Sequence, residues 1–311
     1  MPQPLKPLAL RPGDAVRVLS LSSPVAAEKL DRGCAELQRL GFVPMVDRTS
    51  VLARDGFFAG SPSDRLAALK EALREPATRA VLLTRGGYGS NYLLDAGAID
   101  AATPKLVIGY SDVTSLQIFL WQRFGWVTLQ GPMVAAGFDG GADKPDGYDH
   151  DSFWHAATAT TEGWTINLHG ETLSSGETDG ILLGGCLTLV ETTLGTPWEL
   201  DARGAILVLE DRGMKPWQVD RALIHLKQAG KLQGVRGIIL GDFPDCEAPA
   251  GSETVKDVAC RILGPLGVPI VWGAAIGHTS RPMLTLPLGV RAEFSDAGGG
   301  TLRIPEPACA P

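Results

Sequence analysis

Short apolar segments alternate with amphipathic helical segments throughout the first half of this chain. The predicted strands cover residues 15–21, 42–46, 80–84 and 106–110, and the predicted helices cover residues 25–40, 61–74 and 113–124. Strands that are separated by helices pair in parallel, and a parallel sheet needs helices on both faces to bury it. The pattern therefore predicts an α/β fold built on a parallel sheet.

The start of one predicted helix is marked especially clearly. Ser61 stands at the N-cap position, Pro62 at the first helical position and Asp64 in the first turn. This order resembles a capping box, in which side chains satisfy the free N–H groups of the first turn. We expect the helix to run from this point to Arg74.

The alternation breaks between residues 137 and 176, where turn-forming residues dominate and no clear periodicity is present. It resumes with predicted strands at 205–209, 237–240 and 269–272 and helices at 219–229 and 253–263. We therefore expect an N-terminal α/β domain over residues 1–140, a connector over 141–176 and a C-terminal domain over 177–311.

Composition excludes several classes of protein. The net charge is −7 and there is no Lys/Arg-rich run, which argues against a nucleic-acid-binding surface. No segment has the ~20 apolar residues of a membrane span, and the proline-rich start is unlike a signal peptide. The five cysteines are odd in number and lack a CxxC pair, so neither a disulfide framework nor a zinc site is predicted. We expect a cytoplasmic protein without a nucleic-acid or membrane partner.

The first candidate for chemistry is Ser111, in the turn between a predicted strand and a predicted helix. A serine at such a turn presents its hydroxyl outward, beside helix N–H groups that favour negative charge. This arrangement is typical of a nucleophile. A Ser-Asp pair is also a common helix cap, so Ser111-Asp112 leaves a purely structural interpretation open.

The second candidate is the loop Arg85-Gly86-Gly87-Tyr88-Gly89, which directly follows a predicted strand. Adjacent glycines allow a tight turn and close approach of a ligand. The loop could supply an oxyanion-hole N–H from Gly87, cradle an anion, or simply turn the chain. It lacks the lysine of a phosphate-binding P-loop and the complete GxGxxG spacing.

The third candidate is a carboxylate and a histidine at two further strand ends, Glu210 and His278. A serine nucleophile needs a base, and the base needs a group that orients it. His278 is favoured because the other four histidines lie in the connector or within a helix; these are His150, His155, His169 and His225. A semi-buried histidine with a structural role remains the alternative.

Taken in order, these segments resemble the LD-carboxypeptidases (muramoyltetrapeptide carboxypeptidases), a family that includes the microcin C self-immunity peptidases. The resemblance covers nearly the whole chain. The matching segments are Ser22-Ser23-Pro24, Phe58-Ala59-Gly60 before Asp64-Arg65, Arg85–Gly89, Gly109–Thr114, Gly131-Pro132-Met133, Gly184-Gly185, Leu209-Glu210-Asp211, Asp220-Arg221, Gly277-His278 and Leu286–Gly289.

The resemblance implies a Ser–His–Glu triad at Ser111, His278 and Glu210, with an oxyanion hole from the N–H groups of Gly87 and Asp112. It implies an N-terminal domain like that of class I glutamine amidotransferases and a C-terminal domain of swivelling β/β/α type. Members are cytoplasmic, need no cofactor or metal, and are often dimers. The implied reaction releases the terminal D-alanine from murein tetrapeptides during cell-wall recycling.

Two positions depart from the family pattern, and both concern the substrate. Cys186 stands where the family usually has asparagine, and Met214 where it usually has glutamate. Arg85 is a candidate for holding a substrate carboxylate, because guanidinium binds carboxylate through two hydrogen bonds, although a structural ion pair would also explain it. Tyr88 and Trp217 could line the cleft, or they could serve packing alone.

Three alternatives stay open at this stage. The chain could be a microcin-immunity-like amidase acting on peptidyl- or aminoacyl-nucleotides, with tryptophans available to stack a base. It could be a non-catalytic protein that binds an anion at residues 85–89. Cysteine chemistry at Cys186 is the third possibility.

Overall fold

The computed structural model describes residues 2–94, 99 and 103–311. Its strands are β1 (Ala15–Leu19), β2 (Val43–Met45), β3 (Thr78–Leu83), β4 (Leu106–Gly109), β5 (Thr128–Gln130), β6 (Trp164–Asn167), β7 (Glu171–Ser174), β8 (Glu177–Cys186), β9 (Ala205–Glu210), β10 (Gly237–Gly241), β11 (Ile270–Ala274), β12 (Leu286–Leu288), β13 (Arg291–Ser295) and β14 (Thr301–Ile304). Its α-helices are α1 (Ala27–Arg39), α2 (Arg48–Val51), α3 (Pro62–Arg74), α4 (Val113–Phe124), α5 (His150–Thr158), α6 (Leu187–Thr192), α7 (Pro216–Gln228) and α8 (Val255–Leu263). The fold is therefore α/β, as the sequence predicts.

The first sheet has six strands in the order β12-β5-β4-β3-β1-β2. The five strands from the first half of the chain pair in parallel, which confirms the predicted parallel sheet. Strand β12 comes from the second half and pairs antiparallel to β5, with Leu286 opposite Gln130. The two halves of the sequence are thus joined within one sheet.

The second sheet has eight strands in the order β6-β14-β13-β8-β9-β10-β11-β7. Its centre, β8 to β11, is parallel, and its outer strands pair antiparallel. Strands β6 and β7 and helix α5 occupy the region in which the sequence has no clear periodicity. Each of these strands has four mostly part-exposed or exposed residues, and pairing with β14 and β11 makes them strands. A tertiary contact, rather than a local pattern, therefore orders this region.

Local sequence explains the best-predicted elements. Helix α3 begins as expected, because the Ser61 hydroxyl accepts a hydrogen bond from Asp64 N–H at 3.2 Å. Helix α4 matches its predicted range and ends at Gly125, which adopts a left-handed conformation with φ 70°. Such a conformation favours glycine because it has no Cβ.

The two sheets meet at the carboxyl ends of their parallel strands. Helix α4, which follows β4, packs against β8 and α6. The Cys186 N–H donates to the Thr114 hydroxyl at 3.1 Å, and a Cβ added at Gly185 would lie 2.6 Å from the same oxygen. Because this contact leaves no space for a side chain, the first turn of α4 lies directly against the end of β8.

Candidate active site

Ser111 occupies the sharp turn between β4 and α4. Its φ is +63°, the left-handed conformation that residues other than glycine adopt uncommonly. The glycine loop packs directly onto it, since a Cβ added at Gly86 would lie 2.7 Å from Ser111 Oγ. Backbone strain of this kind is concentrated at functional sites, and here it orients a potentially reactive hydroxyl.

Glu210 ends strand β9 and His278 follows strand β11, and the structure brings them together. The His278 Nδ1–H donates to Glu210 Oε2 at 2.7 Å, and the His278 backbone N–H donates to the same oxygen at 2.9 Å. Glu210 is 0% exposed. Gly277 makes this approach possible: its φ is +57°, and a Cβ there would lie 2.2 Å from Glu210 Cδ.

The electrostatic environment of His278 favours a charged imidazole. Burial lowers the pKa of His278, but the adjacent Glu210 carboxylate more than offsets this, so the pKa is raised overall. Because Nδ1 donates to Glu210, the lone pair of the neutral ring lies on Nε2. The Tyr110 ring packs edge-on against the imidazole, with ring centroids 5.1 Å apart. His278 is thus held as an oriented base.

A cavity of about 530 Å³ contains the predicted residues of both sheets, including Ser111, His278, Gly87 and Arg85. A second cavity, of about 280 Å³, shares His278 with it. Within the described residues, no hydrogen bond joins Ser111 Oγ to His278. Hydrogen bonds between catalytic groups are often long until substrate binds. The shared cavity therefore indicates that Ser111 and His278 can act on one bound molecule.

Two free backbone N–H groups flank Ser111. In the described part of the chain, neither Gly87 N–H nor Asp112 N–H donates a hydrogen bond. Gly87 has φ +116°, and a Cβ there would lie 2.2 Å from Ser23 Oγ, so only glycine fits. Unpaired N–H groups beside a serine are suited to binding a developing oxyanion.

The predicted binding residues lie at different distances from this cavity. Arg85 is exposed, lines the cavity and donates to the Pro24 carbonyl at 3.4 Å. Tyr88 is half-exposed and packs with Phe57 and other aromatic rings, while Trp217 is exposed beneath the Arg221 guanidinium. Neither aromatic lines the cavity of Ser111, so their roles in binding stay predictions.

The two departures from the family pattern lie close to each other. The Cys186 thiol lines the cavity and donates to Asp211 Oδ2 at 3.5 Å. Burial raises the pKa of Cys186 well above its ordinary value, which disfavours the reactive thiolate. Thr188 donates to the same Asp211 oxygen at 2.7 Å and faces Met214 Sδ at 3.6 Å.

Among the lining residues that the sequence did not indicate are the polar side chains of Lys29, Thr188 and Arg212. Thr188 and Arg212 each lie two residues beyond the end of a parallel strand, β8 and β9, which is a usable signal. Lys29 lies on α1, and nothing in its local sequence distinguishes it from a surface lysine.

The described residues contain neither a metal-binding cluster nor a membrane-spanning helix. No group of three or more His, Cys, Asp and Glu side chains in residues 2–94, 99 and 103–311 could hold a metal ion. Over the same residues, no helix is both long and apolar enough to cross a bilayer.

Comparison with protein families gives two matches. The model of the LD-carboxypeptidase N-terminal domain matches residues 16–131, and that of the LD-carboxypeptidase C-terminal domain matches residues 179–294. The first match contains Ser111, and the second contains Glu210 and His278.

Individual proteins give the same result. A probable murein peptide carboxypeptidase of Bacillus subtilis is 36% identical, over 94% of this chain and 92% of its own. The muramoyltetrapeptide carboxypeptidase of Oxalobacter formigenes superimposes with a TM-score of 0.82 and 27% identity, over 94% of this chain and 99% of its own. MccF, described in complex with glutamyl sulfamoyl guanosine, superimposes with a TM-score of 0.86 and 26% identity, over 99% of this chain and 100% of its own.

Proposed function

The chain belongs to the LD-carboxypeptidase family, and from that premise we propose that it is a serine carboxypeptidase acting on murein tetrapeptides. It would hydrolyse the bond between the L-centre of the diamino acid and the terminal D-alanine. The observation that carries the proposal is His278, which bonds to the buried Glu210 carboxylate and lines the same cavity as the strained Ser111.

The proposed mechanism is acyl transfer. His278 Nε2 removes the Ser111 proton as Oγ attacks the scissile carbonyl, while Glu210 holds the ring and stabilises its charged form. The imidazolium then protonates the leaving amine of D-alanine. Water, activated by the same base, attacks the acyl-enzyme and releases the shortened peptide.

The negative charge that develops on the carbonyl oxygen would be bound by Gly87 N–H and Asp112 N–H. Loss of one such donor costs about 3 kcal/mol of transition-state stabilisation in serine hydrolases. Arg85, exposed at the rim of the cavity, is proposed to hold the free carboxylate of the substrate.

The wider biology follows the family. We propose a cytoplasmic homodimer that functions in cell-wall recycling without a cofactor or metal. The proposed division places a glutamine-amidotransferase-like domain in residues 1–140, a connector in 141–176 and a swivelling β/β/α-type domain in 177–311. The cleft between the two domains would contain the site.

The direct test is mass spectrometry of the products that the purified protein forms from murein tetrapeptide. Tripeptide and D-alanine from the wild type, and none from Ser111→Ala, would support both the reaction and the nucleophile. A fluorophosphonate probe should label the wild type and not Ser111→Ala. Equal labelling of both proteins, or product formation by Ser111→Ala, would refute Ser111 as the nucleophile. If Cys186→Ala forms no product while Ser111→Ala still does, the nucleophile is the Cys186 thiol.

A second candidate function is hydrolysis of an aminoacyl-nucleotide, favoured by the similarity to MccF over the whole chain. The discriminating measurement is a comparison of kcat/KM for murein tetrapeptide and for an aminoacyl sulfamoyl nucleoside. A larger kcat/KM for the aminoacyl sulfamoyl nucleoside would make an aminoacyl-nucleotide the proposed substrate instead of the peptide. The proposed triad would stay the same.

A further inference from the structure

A buried polar network surrounds the side chain of Asp112, the residue after Ser111. Asp112 is 1% exposed. Its Oδ2 accepts hydrogen bonds from Ser22 Oγ at 2.5 Å and from Ser90 N–H at 2.8 Å. In return, Ser90 Oγ donates to the Asp112 carbonyl at 2.6 Å. The residue after Ser111 is therefore tied to the loops that follow β1 and β3.

Arg65, on helix α3, provides a second attachment for the same loops. Its guanidinium is buried and donates to the carbonyl groups of Gly60, Leu21 and Gly89. A buried guanidinium is costly unless hydrogen bonds satisfy it, so these three contacts restrict where each carbonyl can lie. Burial lowers the pKa of Arg65, and the charge of Asp112 partly offsets this.

The glycine loop is held along its length by these contacts and by Ser23. Ser23 N–H donates to the Gly86 carbonyl at 3.4 Å, and its hydroxyl accepts from Tyr88 N–H at 3.3 Å. Gly89 is held by Arg65, and Ser90 by Asp112. Gly87 N–H, in the middle of the loop, remains free to bind a ligand.

We propose that Asp112, Ser22 and Ser90 are positioning residues that set the distance between the two oxyanion-binding N–H groups. One of these groups, Gly87 N–H, lies on the loop after β3, and the other lies after β4. The carboxylate of Asp112 links these two segments, so its hydrogen bonds fix both donors before substrate arrives. This inference rests on the proposed function and deepens it.

The physical advantage is preorganisation. Donors that are already fixed at about 2.7–3.1 Å from the future oxyanion need no rearrangement when charge develops. A carboxylate close to an oxyanion would otherwise oppose that charge. Here burial raises the pKa of the Asp112 carboxyl, and the hydrogen bonds from the Ser22 hydroxyl and Ser90 N–H partly offset this, with the Arg65 cation nearby.

The test compares Ser22→Ala and Asp112→Ala with a matched control, Ser20→Ala. Ser20 is also a buried serine beyond β1, but its hydroxyl bonds to the Val51 carbonyl and to the Thr84 hydroxyl, neither of which belongs to the loop 85–89 or to the Asp112 network. For each variant, kcat and KM for murein tetrapeptide and the rate of fluorophosphonate labelling are measured, together with the thermal midpoint.

We expect Ser22→Ala to lower kcat about tenfold and Asp112→Ala to lower it about 100-fold, while KM stays within about twofold of the wild-type value. Only kcat should fall, because the displaced N–H groups bind the oxyanion of the transition state and not the bound substrate. Labelling should slow in parallel, and Ser20→Ala should retain both rates. The proposal is overturned if Ser20→Ala loses as much as Ser22→Ala, if KM rises in proportion to the loss, or if both target variants keep wild-type kcat.

The outcome is separable from that of the proposed function. If the wild type does not cleave the tetrapeptide, the proposed substrate is wrong, whereas the ratio of labelling rates between Ser22→Ala and Ser20→Ala still decides the role of the network. If Asp112→Ala fails to fold, Ser22→Ala alone tests the role of the network, because it removes only one hydroxyl group.

Discussion

At the scale of single residues, the surroundings of Ser111, Glu210 and His278 constrain all three members of the proposed triad. Ser111 adopts a left-handed backbone conformation. The backbone N–H and the Nδ1–H of His278 both donate to one carboxylate oxygen of Glu210, which fixes the imidazole ring. Glycines at positions 86 and 277 allow the close contacts on either side, since a side chain at each would overlap Ser111 or Glu210. The proposed triad is therefore supported by glycines, which the sequence alone indicates only as turn-forming residues.

The pH dependence of kcat/KM should report the raised pKa of His278. Only the neutral imidazole can accept the Ser111 proton, so activity should rise with pH, and its acidic limb should have a midpoint above the ordinary value of 6.5. In Glu210→Gln, loss of the carboxylate should move the midpoint to lower pH and lower kcat by about 10³–10⁴-fold. NMR titration of the ring, assigned with His278→Asn, provides an independent measurement. An unchanged midpoint in Glu210→Gln would contradict the proposed pairing.

Gly277→Ala tests the close contact on which that pairing depends. The new methyl group would occupy the space of the Glu210 carboxylate, so we expect kcat/KM to fall about 100-fold, as for displacement of a catalytic group by about 1 Å. Gly273→Ala is the control, because Gly273 also has a positive φ, +76°, but its nearest atom is Asp242 Oδ1 at 3.9 Å. Similar kcat/KM values for the two variants would show that backbone strain, rather than the contact with Glu210, causes the loss.

At the scale of helices and strands, local sequence patterns determine some parts of the fold and tertiary contacts determine others. Helix α3 has a complete local start signal, and strands β3 and β9 each contain a continuous, buried apolar run, at residues 80–83 and 205–209. Strand β12 has three residues, one of them a proline, and becomes a strand only by pairing with β5. Elements of the first kind were predicted, and those of the second kind were not.

Ser61→Ala should destabilise the protein, because Ser61 caps the N-terminus of α3. Loss of the hydrogen bond to Asp64 N–H should cost about 1 kcal/mol of unfolding free energy. Ser61→Thr is the matched variant, since threonine also caps helices and keeps a hydroxyl that can accept from Asp64 N–H and donate to the Asp64 carboxylate. Denaturant unfolding measures both, and equal destabilisation by Ala and Thr would show that the cap is not the cause.

At the scale of the whole molecule, the site exists because two sheets meet at their carboxyl ends. Ser111 and the glycine loop come from the first sheet, and Glu210 and His278 follow strands of the second. The contact between α4 and β8, at Thr114 and Cys186, holds these ends together. Strand β12 adds a second connection by crossing into the first sheet.

Gly185→Ala should weaken this contact. The added methyl would lie 2.6 Å from Thr114 Oγ1, so α4 and β8 must separate, and Ser111 should move relative to His278. We expect kcat/KM to fall by about 100-fold. Gly195→Ala shares the positive φ but has open space, and should cost about 1–3 kcal/mol of stability with normal catalysis. Wild-type kcat/KM in Gly185→Ala would contradict the role given to this contact.

The sequence by itself determined the α/β class, the parallel pairing of strands β1 to β4 of the first sheet, and the segments that carry Ser111, Glu210 and His278. It could do so because apolar periodicity, capping residues and motif order are local properties of the chain. The tertiary structure alone decided that residues 137–176 contain a helix and two edge strands, that β12 joins the first sheet, and that Ser22 and Ser90 bind Asp112. These features depend on contacts between residues distant in sequence, and no local pattern specifies which distant groups will meet.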